Sequence, residues 1–369
     1  MKRFFIVLLA VALVGAFAVP ASAEWNFWGR AKVTVAYESP DDTFAAAEHG
    51  QSVSGDDQLA PDIDFLGASA IGARVKAGNI GGRFELRQRV GAGAAADYQT
   101  LYGTWNFGAG TLIVGLDYVP SDYFLSGTIY NDNPMLGRGA SFNGRTGQIK
   151  VKVGGFQLAL VNVTQGADTT ASGDMDTILP RIDGAYTYRS GAILARIAGT
   201  IQRYTLENVA RPSVDVTSWT VNVVFTYSPG AWYVKTAAYY MVNGADAGWL
   251  GGANATANGT TGIYDVNSWG ALITAGFVFN PMFRVEAGYG YWTHDSEDPA
   301  ITENDPAQFY YIQVPITLAK GVFIIPEVGI ADNMKSNAGA DQGKKIYAGA
   351  KTQIDFKKID LNASVIVID

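Results

Sequence analysis

Read at every second position from Trp269, the stretch NSWGALITAGFVFNPMFRVEAGYGYW (267–292) gives Trp269, Ala271, Ile273, Ala275, Phe277 and Phe279, then Phe283, Val285, Ala287, Tyr289 and Tyr291. All are apolar or aromatic. The positions between them hold Gly270, Leu272, Thr274, Gly276 and Val278, then Arg284, Glu286, Gly288, Gly290 and Trp292. Period-2 alternation predicts two strands with unlike faces, joined at Asn280-Pro281-Met282. The texture recurs along the chain. In WNFWGRAKVTVAYE, Trp25, Phe27, Ala31, Val33, Val35 and Tyr37 oppose Asn26, Trp28, Arg30, Lys32, Thr34 and Glu38. In RFELRQRV, Phe84, Leu86 and Val90 oppose Arg83, Glu85, Arg87 and Arg89.

These segments come in pairs across short turns, all but the last (Lys357-Lys358) containing Gly, Pro, Asn or Ser, the composition of hairpins: 65–77 with 83–90, 98–107 with 111–118, 148–153 with 156–163, 182–189 with 193–204, 216–227 with 232–241, 309–318 with 322–330, and 345–356 with 359–368. Between the pairs lie long polar stretches, 39–62, 119–146, 165–179, 206–215, 242–265, 293–306 and 331–344. Short turns at one end and long loops at the other are the rhythm of a transmembrane antiparallel β-barrel, whereas a soluble sandwich or propeller does not sort its connections by length in this way. Aromatics on the apolar parity fall in two rows. Phe107, Tyr227, Trp232, Phe279 and Phe283 flank short turns; Tyr37, Tyr118, Trp219, Trp269, Tyr289 and Tyr291 flank long loops. Bilayer interfaces select such rows. The expected fold is all-β, a barrel of about 16 strands (16–18), with its apolar face on lipid and its polar face on water.

Outside this pattern stands the N-terminus. A basic start (Met1-Lys2-Arg3), an apolar run from Phe4 to Val19 and Ala21-Ser22-Ala23 read as a secretory signal peptide, 1–23, leaving 24–369 as a single barrel domain. Its removal takes Lys2 and Arg3 from a chain of formal charge −7, so the mature charge is −9. There is no Cys, hence no disulfide, thiolate metal site or thiol nucleophile. Two His, His49 and His294, both in expected loops, make a Ser-His-carboxylate or zinc site a poor reading, so no catalytic residue, metal ligand or cofactor is assigned. The acidic balance also argues against nucleic acid.

FLGASAIGARVKAGNIGGRFELRQRV (65–90) and LYGTWNFGAGTLIVGLDYVP (101–120), the latter with a Phe-Gly-x-Gly-Thr turn, resemble strands two to five of the bacterial outer-membrane general diffusion porins. The resemblance implies passive diffusion of small hydrophilic solutes and ions, an outer membrane with lipid and lipopolysaccharide around the barrel, and a homotrimer. It further implies that the long segment after the fifth strand, 119–146, folds inward as a constriction loop. That loop carries only two acids, Asp122 and Asp132, fewer than the family motif. Two features depart from the family. The chain ends LNASVIVID, on Asp369 rather than an aromatic, although Phe356 has the expected phase. The periodic segments number about 17, so closure is expected near Phe356, with 357–369 an added strand or appendix. Pro315 and Pro326 also lie within strand patterns, where a closed sheet calls for a local bulge.

On the inward parity a basic wall collects Arg30, Lys32, Arg74, Lys76, Arg83, Arg87 and Arg89, with Lys150 and Lys152 further along. Inward acids are fewer: Glu38, Glu85, Asp117, Asp183, Glu286 and Glu327. Such a wall either keeps a wet lumen wet or sets a transverse field with weak anion preference. A selective anion or sugar channel, the latter using inward Trp28, Tyr102, Tyr233, Tyr239 and Trp292, and a plugged structural or adhesive barrel are the competing readings. The acids of 41–62 and of 294–305 read as solvated outer loops that divalent cations could bridge to lipopolysaccharide.

Overall fold

The computed structural model describes residues 23–41, 43–44, 62–66, 68–89, 97–164, 174–208, 211–257 and 262–357. Its strands are β1 (Glu24–Pro40), β2 (Asp62–Leu66 continued by Ala68–Ala77), β3 (Ile80–Arg89), β4 (Asp97–Asn106), β5 (Thr111–Tyr118), β6 (Arg145–Val153), β7 (Phe156–Val161) and β8 (Asp174–Asp176 continued by Arg181–Ser190). The second half comprises β9 (Ile193–Asn208), β10 (Arg211–Tyr227), β11 (Trp232–Val242), β12 (Val266–Val278), β13 (Arg284–Ser296), β14 (Asp305–Gln313 continued by Ile316–Ala319), β15 (Val322–Asp332) and β16 (Lys344–Lys357). Each pairs antiparallel with the next, and β16 pairs with β1 from Trp28↔Lys357 to Pro40↔Lys345, so the sheet closes on itself as a 16-strand barrel. Closure comes at Phe356, opposite Gly29, where the sequence placed it. The 358–369 segment lies outside the described residues.

The alternation sorts as expected. Trp269, Ile273 and Phe277 are 46%, 46% and 42% exposed, while Ser268 and Thr274 on the other parity are fully buried. A barrel with its large apolar side chains outside and polar ones within is built for hydrocarbon, not for water. The glycines of the inward face receive tyrosines. Across each pair of strands Gly270 faces Tyr239, Gly276 faces Tyr233, Gly288 faces Tyr311 and Gly329 faces Tyr347. In each case the ring lies where a β-carbon would stand. The ring covers backbone that the glycine leaves bare, and bulk is thereby brought to bear on the loops inside. Gly290 instead makes room for the loop itself: a β-carbon there would meet the Arg138 carbonyl and the Met135 methyl. Gly290→Val is expected to cost about 1–3 kcal/mol through this overlap, read as a lower unfolding midpoint in detergent.

Local departures have local causes. At Pro315 the strand breaks between Gln313 and Ile316, and Val314 N–H donates to the Pro326 carbonyl at 3.0 Å. Register nevertheless runs on from Gln313↔Glu327 to Ile316↔Ile324, and Pro326 stays opposite Ala350, so neither proline makes the expected bulge; the register shifts instead between Thr317 and Ala319. The 206–215 stretch, read as a loop, is strand as far as Asn208 and again from Arg211, with Asn208 opposite Arg211. There Arg203 and Thr205 bond Asp215 on an exposed face. Likewise β13 runs to Ser296. Strands that project beyond hydrocarbon lose the apolar alternation by which sequence reading finds them.

Candidate functional site

From the end of β5 the chain turns into the lumen. The neck of this loop is closed by Asp122, whose carboxylate accepts the N–H groups of Asn143 (2.7 Å) and Gly144 (2.9 Å). Asp183 of β8 accepts both the N–H (3.0 Å) and the hydroxyl (2.5 Å) of Ser121. Lys235 and Thr274 donate to the Leu125 carbonyl, each at 3.2 Å. Glu286 of β13 accepts Gly127 N–H at 2.6 Å. Glu327 of β15 accepts the Thr128 hydroxyl (2.5 Å), Ile129 N–H and the Tyr347 hydroxyl (2.6 Å). Tyr130 then packs on Tyr347 and Phe309, with ring centroids 4.5 and 5.2 Å away. At the tip Asp132 pairs with Lys32 of β1 and, at 2.6 Å, with Arg87 of β3. Asn131 and Asp132 both hold left-handed backbone, φ 51° and 50°. Such a conformation in non-glycine residues persists where surrounding contacts fix it.

A second segment also folds inward. The 242–265 loop, read from composition as external, packs its 243–257 part against the first. Arg181 donates to the Ala247 carbonyl (2.8 Å) and to Asn143 Oδ1 (2.6 Å), and Leu250 N–H to the Phe142 carbonyl (2.8 Å). Asp246 accepts the Tyr204 hydroxyl and Ala255 N–H. His294, expected in a loop, lies in β13 with its Nδ1 2.9 Å from the Ser268 hydroxyl, which also accepts Ala253 N–H. Ser268 is fully buried, so this pair braces the second loop. His49 falls outside the described residues.

The two loops fill one side of the lumen and leave a cavity of about 560 Å³ against the other. Arg30, Lys32, Arg87, Arg145 and Lys351 line it, against Glu85 and Asp132, so five cations face two anions. The remaining basic residues stand elsewhere. Arg83 bonds Glu85 (2.5 Å) and lies over the Trp28 ring at 5.8 Å. Arg74, directly opposite Arg83, and Lys76 sit towards the β2–β3 turn. The side chain of Arg89 is outside the described residues. Lys150 is buried on Asp117 (2.5 Å), and it and Lys152 are separated from the wall by β4 and β5 rather than neighbouring it. Like charges held opposite one another destabilise a sheet, so the Arg74–Arg83 pair is held against a local cost.

Most lumen acids are engaged. Glu286, Glu327 and Asp183 hold the first loop, Asp117 holds Lys150, and Glu38 pairs with Lys345 at 2.9 Å. Asp122, expected as a constriction acid, is buried in the loop neck and does not line the cavity. Of the inward aromatics, Tyr239 is buried with its hydroxyl on the Gly251 carbonyl, Tyr233 bonds Glu286, and Trp292 packs against the loop-facing core, so these three support loops instead of forming a sugar track. Sequence reading missed Arg145 and Lys351. Lys351 has the inward parity, but only closure of β16 on β1 places it opposite Thr34, two residues from Lys32. Arg145 has the outward parity of its strand, like Tyr118 opposite it, and is turned inward with it at the strand's start.

Burial pushes the Asp122 carboxyl up to about 8, against the two backbone N–H bonds that favour its charged form. An acid whose folded pKa exceeds its unfolded value near 4 binds its proton more tightly in the fold. Its stabilisation is complete below the unfolded value and is lost as pH rises through 8. Stability in detergent is expected to fall between pH 4 and pH 8 and to fall less in Asp122→Asn, as read by urea midpoints.

With this geometry the chain is similar to solved outer-membrane proteins. The outer-membrane channel DcaP of Acinetobacter baumannii superposes with a TM-score of 0.72 at 18% identity, over 91% of this chain and 98% of that one. The fold is that of the outer-membrane porins. An anion-selective porin from Comamonas acidovorans follows at 0.62 and 14%, over 91% and 100%. The trimer form of OmpT from Vibrio cholerae gives 0.56 and 11%, over 90% and 99%. No protein-family model and no curated protein sequence matches the chain.

Proposed function

We propose that this barrel is an outer-membrane channel for passive diffusion of small hydrophilic solutes and ions, with a preference for anions. One observation carries the reading: the cavity beside the inserted loop is lined by five basic side chains and two acidic ones. In a narrow aqueous path between low-dielectric walls, fixed charge of one sign raises the local concentration of the opposite sign. The porin fold and the anion-selective porin among its structural neighbours support the same assignment. The outer-membrane location and assembly as a homotrimer belong to this proposal, the latter supported by the trimer form of OmpT.

Planar bilayers under a salt gradient test it. The purified, folded protein is expected to conduct, to reverse on the anion side of zero, and to pass neutral solutes with linear, size-dependent flux. Clear cation preference would reject the selectivity, and absence of conductance would reject the channel.

A further inference from the structure

Beside its cations the cavity presents carbon. Phe124 of the inserted loop is 44% exposed, whereas Leu125, Ile129 and Tyr130 of the same loop are almost fully buried. Its ring is held: Tyr118 meets it edge-on at 5.2 Å and 87°, and Phe142 lies 5.7 Å away. Arg145 lies 4.4 Å over the Tyr118 ring and donates to its hydroxyl. Leu136 and Leu250 complete this side of the lining. Tyr118, whose parity assigns it to the outer aromatic row, is turned inward here because β5 ends at this residue and the chain enters the lumen.

An aqueous pore that serves only inorganic ions gains nothing from an open phenyl ring on its cavity wall. Leaving part of a Phe side chain in water forgoes burial, and polar residues would line the space without that loss. A fixed aromatic cluster facing a cationic wall is complementary to one kind of solute: a flat or apolar body bearing an anionic head.

We propose that the aperture is a binding site for organic anions with an aromatic body, the carboxylate or similar head lying on the Arg87–Lys351 side and the ring against Phe124. This rests on the anion-channel reading above and names its preferred solute class. The site confers saturable occupancy on a channel otherwise diffusive.

Benzoate and acetate, added to one side of a bilayer holding the full-length protein in potassium chloride, test it. Benzoate is expected to reduce chloride current at about one-tenth the acetate concentration, with cyclohexanecarboxylate intermediate. In Phe124→Ala the ratio of half-blocking concentrations is expected to collapse towards one. A ratio near one in the unaltered protein overturns the proposal and needs no variant to fold; a tenfold ratio persisting in Phe124→Ala removes Phe124 from it. Cation preference in the unaltered protein would instead overturn the parent reading, whereas anion preference with a ratio of one sinks only this inference.

Discussion

Channels carrying Asp132→Asn are expected to discriminate chloride from potassium several-fold more strongly than the unaltered protein. Asp132 is the one loop acid on the cavity, and it neutralises Lys32 and Arg87 together. Removing one negative charge about 5 Å from a permeating ion changes that ion's energy by roughly 0.8 kcal/mol in water, about fourfold. The sign is opposite for the counter-ion, so the permeability ratio moves by up to about sixteenfold at low salt. At 1 M salt the Debye length is about 3 Å and the change should nearly vanish. Asn tolerates the left-handed backbone that Asp132 adopts, so the loop tip is expected to keep its path. Reversal potentials at low and high salt check both halves. An unchanged ratio at low salt, or a shift towards potassium, would remove the cationic wall as the source of selectivity.

The barrel was legible because each crossing sits between two solvents. In 267–292 the hydrocarbon side and the lumen side select different residues at every step, and the exposed Trp269, Ile273 and Phe277 stand where alternation put them. What alternation lacks is register. That Gly276 lies against Tyr233, or Gly288 against Tyr311, depends on which residues of two strands meet. That Lys351 joins the basic wall depends on the last strand meeting the first. Composition fails in a different way for loops. The 243–257 stretch is as rich in Gly, Ala and Asn as an external loop, yet it packs beneath the mouth because Arg181, Tyr204 and Tyr239 offer donors to its carbonyls and its one acid. Conversely 206–215 has the polarity of a loop and the backbone of two strands.

The acids show the limit most clearly. Parity put Glu286 and Glu327 in the lumen, and they are there, but as acceptors for loop backbone and tyrosine hydroxyls, not as open charge. The same side chain at the same position gives either pore field or loop anchor, and which one follows from where the loop's N–H groups arrive. The positive character of the cavity is thus a consequence of anchoring. Glu286, Glu327 and Asp183 hold the loop and leave Glu85 and Asp132 as the acids on the cavity, where Lys32 and Arg87 pair with Asp132 and Arg30 pairs with Asp355.

Glu286→Ala with Glu327→Ala is therefore expected to free the inserted loop. Glu327 accepts from Thr128, Ile129 and Tyr347, and Glu286 from Gly127, Tyr233, Tyr311 and Gln313. A buried donor left without its acceptor costs about 1–3 kcal/mol. Lumen water can reach part of each site, so the loss per glutamate should be nearer the value for one donor than the sum over all of them. The loop keeps Asp183 at its neck and Asp132 at its tip, and its middle is expected to swing between them. Single-channel conductance should rise about twofold with larger open-state noise, while the urea midpoint falls. Each single substitution should give less than half the conductance change, because either glutamate alone still pins the segment 127–129. A double variant with native conductance and a lowered midpoint would mean that the two glutamates stabilise the barrel wall alone and do not position the loop.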